Sequence, residues 1–133
     1  MRLLTHNFLK SSVKGTEKGY PLNIEVTTIR CEESPVDKEF LLNMLPKVNY
    51  VALRGAVQQV NPHCDPPLPE LPEDLDVSDE EGNQNLDDAL IANLHRVLFD
   101  IYLDEGWLVC PGTGRKFPVK QSIPNMILHE DEI

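Results

Sequence analysis

Glu105-Gly106-Trp107-Leu108-Val109-Cys110-Pro111-Gly112-Thr113-Gly114-Arg115-Lys116-Phe117-Pro118-Val119 reads as an antiparallel hairpin. Trp107 to Cys110 and Arg115 to Val119 are short strand-forming runs, and Pro111-Gly112-Thr113-Gly114 between them carries the residues a reversing chain needs. A third strand follows at Ile123 to Leu128, before the polar tail His129 to Ile133. Two or three such strands cannot cover themselves, so their partners must come from elsewhere in the chain.

Upstream of the hairpin, Leu86, Leu90, Leu94, Val97, Leu98 and Ile101 recur at helical spacing and predict a helix from about Leu86 to Leu103, stopped by Asp104-Glu105-Gly106. Residues 61–85 combine five prolines with a dense run of acids, the composition of a solvated, mobile loop. Before it lie two shorter helices. One starts at Ser34-Pro35-Val36-Asp37, with Ser34 as N-cap and Pro35 at the first helical position, and carries Phe40, Leu41, Met44 and Leu45 up to Pro46. The other starts at Asn49 and runs from Tyr50 to Val60, with Leu53, Ala56, Val57 and Val60 on one side. The first thirty residues read as β-structure. Leu3-Leu4 and Phe8-Leu9 are apolar pairs, Lys14 to Gly19 is a turn, and Leu22, Ile24 and Val26 alternate with polar residues across Tyr20 to Arg30. With strands at both ends and helices between, the fold class is α+β, the chain ends forming one small antiparallel sheet and the helices a central insertion.

A length of 133 residues, 41% of them hydrophobic, allows one modest core. Ten of the 22 acids fall within residues 61–88, which hold no Lys or Arg, leaving twelve acids against twelve basic residues elsewhere. Such a chain lacks the dense cationic surface needed to grip a phosphate backbone by itself. No apolar run approaches the roughly 20 residues that span a bilayer. The amino-terminal residues do not form a secretory signal, so the expected location is the cytoplasm and nucleus, with Cys31, Cys64 and Cys110 as reduced thiols.

Motifs for autonomous catalysis are weak. The seven glycines never form the turn that holds a nucleotide-like cofactor after a strand. Asp65-Pro66-Pro67-Leu68 lacks the aromatic residue of the amino-methyltransferase loop it superficially resembles, and His6, His63, His95 and His129 are scattered. Cys110-Pro111-Gly112-Thr113-Gly114 has the outline of a zinc knuckle, but Thr113 stands where the second thiolate belongs, and one soft ligand does not make a four-coordinate site. Ser78-Asp79-Glu80-Glu81 has the pattern of an acidic-directed kinase site.

Across nearly its whole length outside the acidic loop, the chain resembles the eukaryotic and archaeal family of multifunctional methyltransferase activator subunits, small zinc-ribbon-related proteins. The resemblance rests on Leu4-Thr5-His6-Asn7-Phe8-Leu9, Gly19-Tyr20-Pro21-Leu22, Glu39-Phe40-Leu41-Leu42, Pro46-Lys47-Val48, Asn93-Leu94-His95, the hairpin, and Ile123-Pro124-Asn125-Met126. It implies a metal-free, zinc-ribbon-like β domain built from residues 1–33 and 104–133, with residues 34–103 as the helical insertion. The positions matching the family's zinc ligands are Ser11, Thr16, Cys110 and Thr113, so the resemblance is to the branch without zinc. That branch must replace by packing the roughly 10 kcal/mol a structural zinc supplies.

The resemblance further implies a non-catalytic subunit that forms heterodimers with methyltransferases acting on tRNA, small-subunit rRNA and the translation release factor. S-adenosylmethionine would be held by the partner and by no site on this chain, and RNA would be met only through the partner. The implied contact residues are Leu4, Asn7, Phe8 and Leu9 from the first segment, with Phe117, Ile123, Pro124, Asn125 and Met126 from the last. The competing readings are a small metal- or thiol-dependent enzyme using Cys110, and an independent acidic RNA-associated protein.

Overall fold

The structure, a computed structural model, describes residues 1–15, 19–65, 67–128 and 130–132. The hairpin forms β2 (Ile101–Val109) and β3 (Lys116–Lys120), which pair antiparallel with Leu108 opposite Phe117. β1 (Asn23–Cys31) flanks β2 on the other side, and the two-residue β4 (Ile123–Pro124) closes the order β1-β2-β3-β4.

Alternation along β2 breaks once. Ile101 and Leu103 point inward, and so do Gly106 and Leu108, an odd step that flips the phase. The flip coincides with irregular pairing to β1 between Val26 and Ile29, where each strand holds one extra residue. Gly106 sits at this bulge because a Cβ there would come 2.2 Å from the Glu25 carbonyl oxygen.

Leu3 to Phe8 is helix α1 and not a strand. Its inward positions are Leu3, His6 and Asn7, a helical spacing that includes two polar residues, so counting apolar residues alone leaves an ambiguous pair at each end. α2 (Lys38–Met44) starts three residues later than the Ser34-Pro35 signal suggests, because Asp37 takes the cap and accepts from the Phe40 N–H at 3.0 Å. Ser34 instead hydrogen-bonds Asp100 and His95.

α3 (Tyr50–Val60) matches its sequence reading, with Leu53, Ala56, Val57 and Val60 buried. Asn49 caps it by accepting from Ala52 N–H at 3.1 Å. Asn49→Ala is expected to lower stability by about 1 kcal/mol, read from the urea unfolding midpoint.

The segment expected to be a solvated loop packs on the core. Cys64, Leu68, Leu71 and Val77 are buried while the acids around them face outward. Leu68 and Leu71 are three residues apart, the repeat of an extended Pro-rich chain, so both reach the same side. Tyr50 Oη donates to Pro72 O at 2.5 Å, Leu68 N–H to Asn61 Oδ1 at 2.7 Å, and the buried Asn83 Nδ2 to Val77 O at 2.7 Å. Asn83 ends a short helix, α4 (Glu80–Asn83).

α5 (Asp88–Phe99) is capped by Asp87 and ends where β2 begins. Ile101 to Leu103 are therefore strand and not the last helical turn. Ile101 fits the helical stripe and the strand alternation equally, and pairing opposite Cys31 resolves it as strand; Asp104, Glu105 and Gly106 continue that strand.

Among the described residues, one hydrophobic core joins the sheet (Ile24, Leu103, Leu108, Phe117) to the helices (Leu3, Leu41, Leu53, Leu98). Among the described residues no helix is long and apolar enough to cross a membrane.

Candidate partner interface

The two segments singled out by sequence are joined at the turn between β3 and β4. Gln121 and Ser122 both adopt positive φ, 51° and 65°, as a two-residue hairpin turn requires. This turn aims the Ser122 carbonyl at the Met1 ammonium, which donates to it at 2.7 Å and to Leu103 O at 2.8 Å. Burial lowers the pKa of that amine to about 6, against the opposing pull of Asp104. Leu103 N–H in turn donates to Met1 O at 2.8 Å, so the residue leading into α1 lies along β2.

Within α1 the residues divide sharply. Asn7 is 3% exposed and clamps the start of α3, its Nδ2 donating to Asn49 O at 2.9 Å and its Oδ1 accepting from Asn49 N–H at 2.8 Å. Its own carbonyl accepts from Tyr20 Oη at 2.5 Å. Asn7 therefore positions Asn49, whose side chain caps α3. Leu4 and Leu9 are half-buried against the core, and Phe8 stands half exposed.

His6 is buried beside Asn7 and faces the Leu22 carbonyl at 2.7 Å, so Nε2 carries the proton and donates. Nδ1 has no partner among the described residues. Burial, only partly offset by the bond to Leu22, pushes the His6 pKa below its ordinary value of 6.5. A depressed folded-state pKa means the contribution of the neutral ring is complete above pH 6.5 and lost as pH falls through the lowered value. The urea midpoint is accordingly expected to fall between pH 7.5 and pH 5, with the buried Met1 amine adding to the slope in the upper part of that range, and His6→Gln should remove only the His6 share, leaving the Met1 share in place.

At the other end, β4 is an edge strand, Lys120 pairing with Ile123 and Val119 with Pro124. Past it the side chains alternate. Pro124, Met126 and Leu128 lean against the core side, while Ile123, Asn125 and Ile127 face out, Ile123 at 67% and Ile127 at 76% exposure. Asn125 Oδ1 accepts from Ile127 N–H at 3.1 Å, so its amide shapes its own turn and holds Ile127 outward. Phe117 is 1% exposed beneath this edge, with the Arg115 guanidinium 4.8 Å from its ring centre.

Of the nine sequence-selected contact residues, then, Phe8, Ile123 and Asn125 are exposed in the free chain, and Leu4, Leu9, Pro124 and Met126 are partly covered. Asn7 and Phe117 are buried within the chain. Ile127 escaped the sequence reading. Its signal was the alternation Ile123, Asn125, Ile127, hidden because both faces of that stretch are apolar.

The knuckle positions do not suit zinc. Ser11 is closed into a backbone loop, its N–H donating to Gly19 O at 2.8 Å, and Thr113 is exposed at the hairpin turn. Cys110 is 1% exposed, and its carbonyl accepts from Gly114 N–H at 2.9 Å. Thr16 lies outside the described residues. One thiolate and two hydroxyls are a poor donor set for a tetrahedral zinc.

A Ser-His-Asp cluster does occur, at Ser34, His95 and Asp100. Ser34 Oγ donates to Asp100 Oδ1 at 2.6 Å, and His95 Nε2 is 2.9 Å from the same hydroxyl. Serine and acid thus meet one ring nitrogen, whereas an activated serine needs them on opposite nitrogens. The cluster ties the segment leading into α2 to the end of α5.

A family model described as Trm112p-like protein matches residues 2–122. The chain belongs to the Trm112p-like family. It is 39% identical over its whole length to the multifunctional methyltransferase subunit TRM112 homolog A of Arabidopsis thaliana, all of which is covered. It is 37% identical to a TRM112-like methyltransferase subunit of Mus musculus, with 99% of this chain and 98% of the mouse protein aligned. Among solved structures it is similar to a chain of the E. cuniculi Mtq2-Trm112 complex responsible for methylating the translation termination factor eRF1. There the TM-score is 0.59 at 23% identity, covering 96% of this chain and 95% of the other. That likeness establishes a Trm112p-like fold, and with it the α+β arrangement of a short antiparallel sheet and packed helices.

Proposed function

We propose that this chain is a non-catalytic subunit that binds, stabilises and activates S-adenosylmethionine-dependent methyltransferases acting on tRNA, small-subunit rRNA and the translation release factor. The observation that carries this reading is the edge at residues 123–127, where a very short edge strand carries the outward Ile123 and is followed by the outward Ile127. An open edge offers backbone groups for pairing with a strand of another chain, and flanking apolar side chains supply the burial that holds it. Backbone pairing depends little on the partner's side chains, which lets one subunit serve several enzymes. The names of the relatives, methyltransferase subunits in plant and animal, support the same reading.

In this account the catalytic partner holds S-adenosylmethionine and the RNA or protein substrate, and this chain acts in the cytoplasm and nucleus wherever those partners are. Activation follows from mass action, since a partner stable only when covered is populated in proportion to the subunit available. Co-expression with individual methyltransferase catalytic subunits tests it. The expected result is a soluble one-to-one complex with at least one of them, weakened by Phe8→Asp in this chain without loss of its own fold. Catalytic subunits that are equally soluble and active alone would reject it.

A further inference from the structure

Two cysteines that the proposed docking edge leaves unused lie against each other. Cys31 ends β1 opposite Ile101 and is partly exposed. Cys64 follows the 3-10 turn Asn61–His63, which packs against β1, and is 8% exposed. Its thiol donates to Val60 O at 3.3 Å and is also in hydrogen-bond contact with the Cys31 thiol. The turn and the strand end, far apart in sequence, thus place two sulfurs side by side at the edge of the core. Burial, with the adjoining Cys31 adding to it, pushes the Cys64 thiol up to about 11. Cys64 therefore keeps its proton, and Cys31 is the sulfur that a solvent-borne reagent meets first.

We propose that Cys31 and Cys64 form a dithiol site that a hydroperoxide converts into an intramolecular disulfide. In the first step the Cys31 sulfur attacks the terminal peroxide oxygen. An S–O bond forms, the O–O bond breaks, and the leaving alkoxide or hydroxide takes the Cys31 proton to become an alcohol or water while Cys31 becomes a sulfenic acid. In the second step the Cys64 sulfur attacks the Cys31 sulfur. The S–S bond forms, the S–O bond breaks, and the leaving hydroxide takes the Cys64 proton as water. Two electrons have passed from the thiols to the peroxide, and a dithiol reductant returns them. The bond ties the end of β1 to the start of the acidic segment and closes a loop containing α2 and α3. This restricts the unfolded chain and raises the thermal midpoint of the oxidised form.

The test is exposure of the reduced full-length chain to hydrogen peroxide, followed by alkylation in denaturant, intact mass measurement and non-reducing digestion. The expected result is loss of two hydrogens, protection of two of the three thiols, and a peptide joining Cys31 to Cys64, all reversed by dithiothreitol. Cys64→Ser is expected to accumulate a Cys31 sulfenic acid that dimedone captures, and Cys31→Ser to leave Cys64 alkylatable after the same treatment. A crosslink to Cys110, a crosslink between two copies, or over-oxidation of Cys31 with Cys64 still alkylatable would each overturn the proposal. None of these readouts requires a methyltransferase, so the result is independent of the proposed function.

Discussion

Replacing Ile123 and Ile127 together by aspartate is expected to abolish capture of a methyltransferase catalytic subunit while leaving the free chain folded. The two side chains are 67% and 76% exposed, so charging them removes little native packing, and the free-chain stability should move by no more than about 0.5 kcal/mol. In a complex the balance reverses. Burying each isoleucine contributes roughly 1.5–3 kcal/mol. A carboxylate placed in the same dry contact adds a desolvation cost on top. Losing both contributions corresponds to a weakening of affinity by about 10²- to 10⁴-fold or more. Titration calorimetry of the double variant beside the parent, with thermal unfolding of each free chain, reads both quantities. Unchanged affinity would move the docking surface elsewhere, and a collapsed free fold would return Ile123 and Ile127 to the core.

Phe117→Ala should behave in the opposite way. Its ring is 1% exposed in the middle of β3, opposite Leu108 on β2. Truncating a buried phenylalanine costs about 3–5 kcal/mol. For a domain of this size that corresponds to a fall of roughly 10–20 °C in thermal midpoint. Partner binding should decline only as the folded fraction declines, and at a temperature where the variant is still folded its affinity should approach that of the parent. A variant that melts normally but fails to bind would show that the ring leaves the core to meet the partner.

How far the sequence reaches differs from element to element, for physical reasons. The β2–β3 hairpin and α3 could be read directly because local signal and tertiary environment agree: turn residues between strand formers in one, an Asn cap ahead of a one-sided stripe in the other. α1 could not, because it buries His6 and Asn7, polar residues whose partners, Leu22 O and the Asn49 backbone, are distant in sequence. The end of α5 is not legible in the sequence because Ile101 satisfies both periods and only pairing with β1 chooses between them. The acidic segment reads as solvated because its average composition hides Leu68, Leu71 and Val77, the anchors that hold it down.

For the candidate interface, the matching motifs select stretches of chain but not the direction of each side chain. Direction depends on the pleat of a strand and the phase of a helix. That is why the motifs alone do not show that Asn7 and Phe117 are buried and that Ile127 faces outward.

The central claim, that this chain contributes surface and its partner contributes chemistry, is tested most directly by a methyl-transfer assay with radiolabelled S-adenosylmethionine. The catalytic subunit alone, this chain alone and the reconstituted pair are compared on one substrate. The account expects no transfer by this chain, weak or unstable transfer by the catalytic subunit, and sustained transfer by the pair that is lost with Ile123→Asp/Ile127→Asp. Transfer by this chain alone, or full transfer by the catalytic subunit without it, would contradict the account.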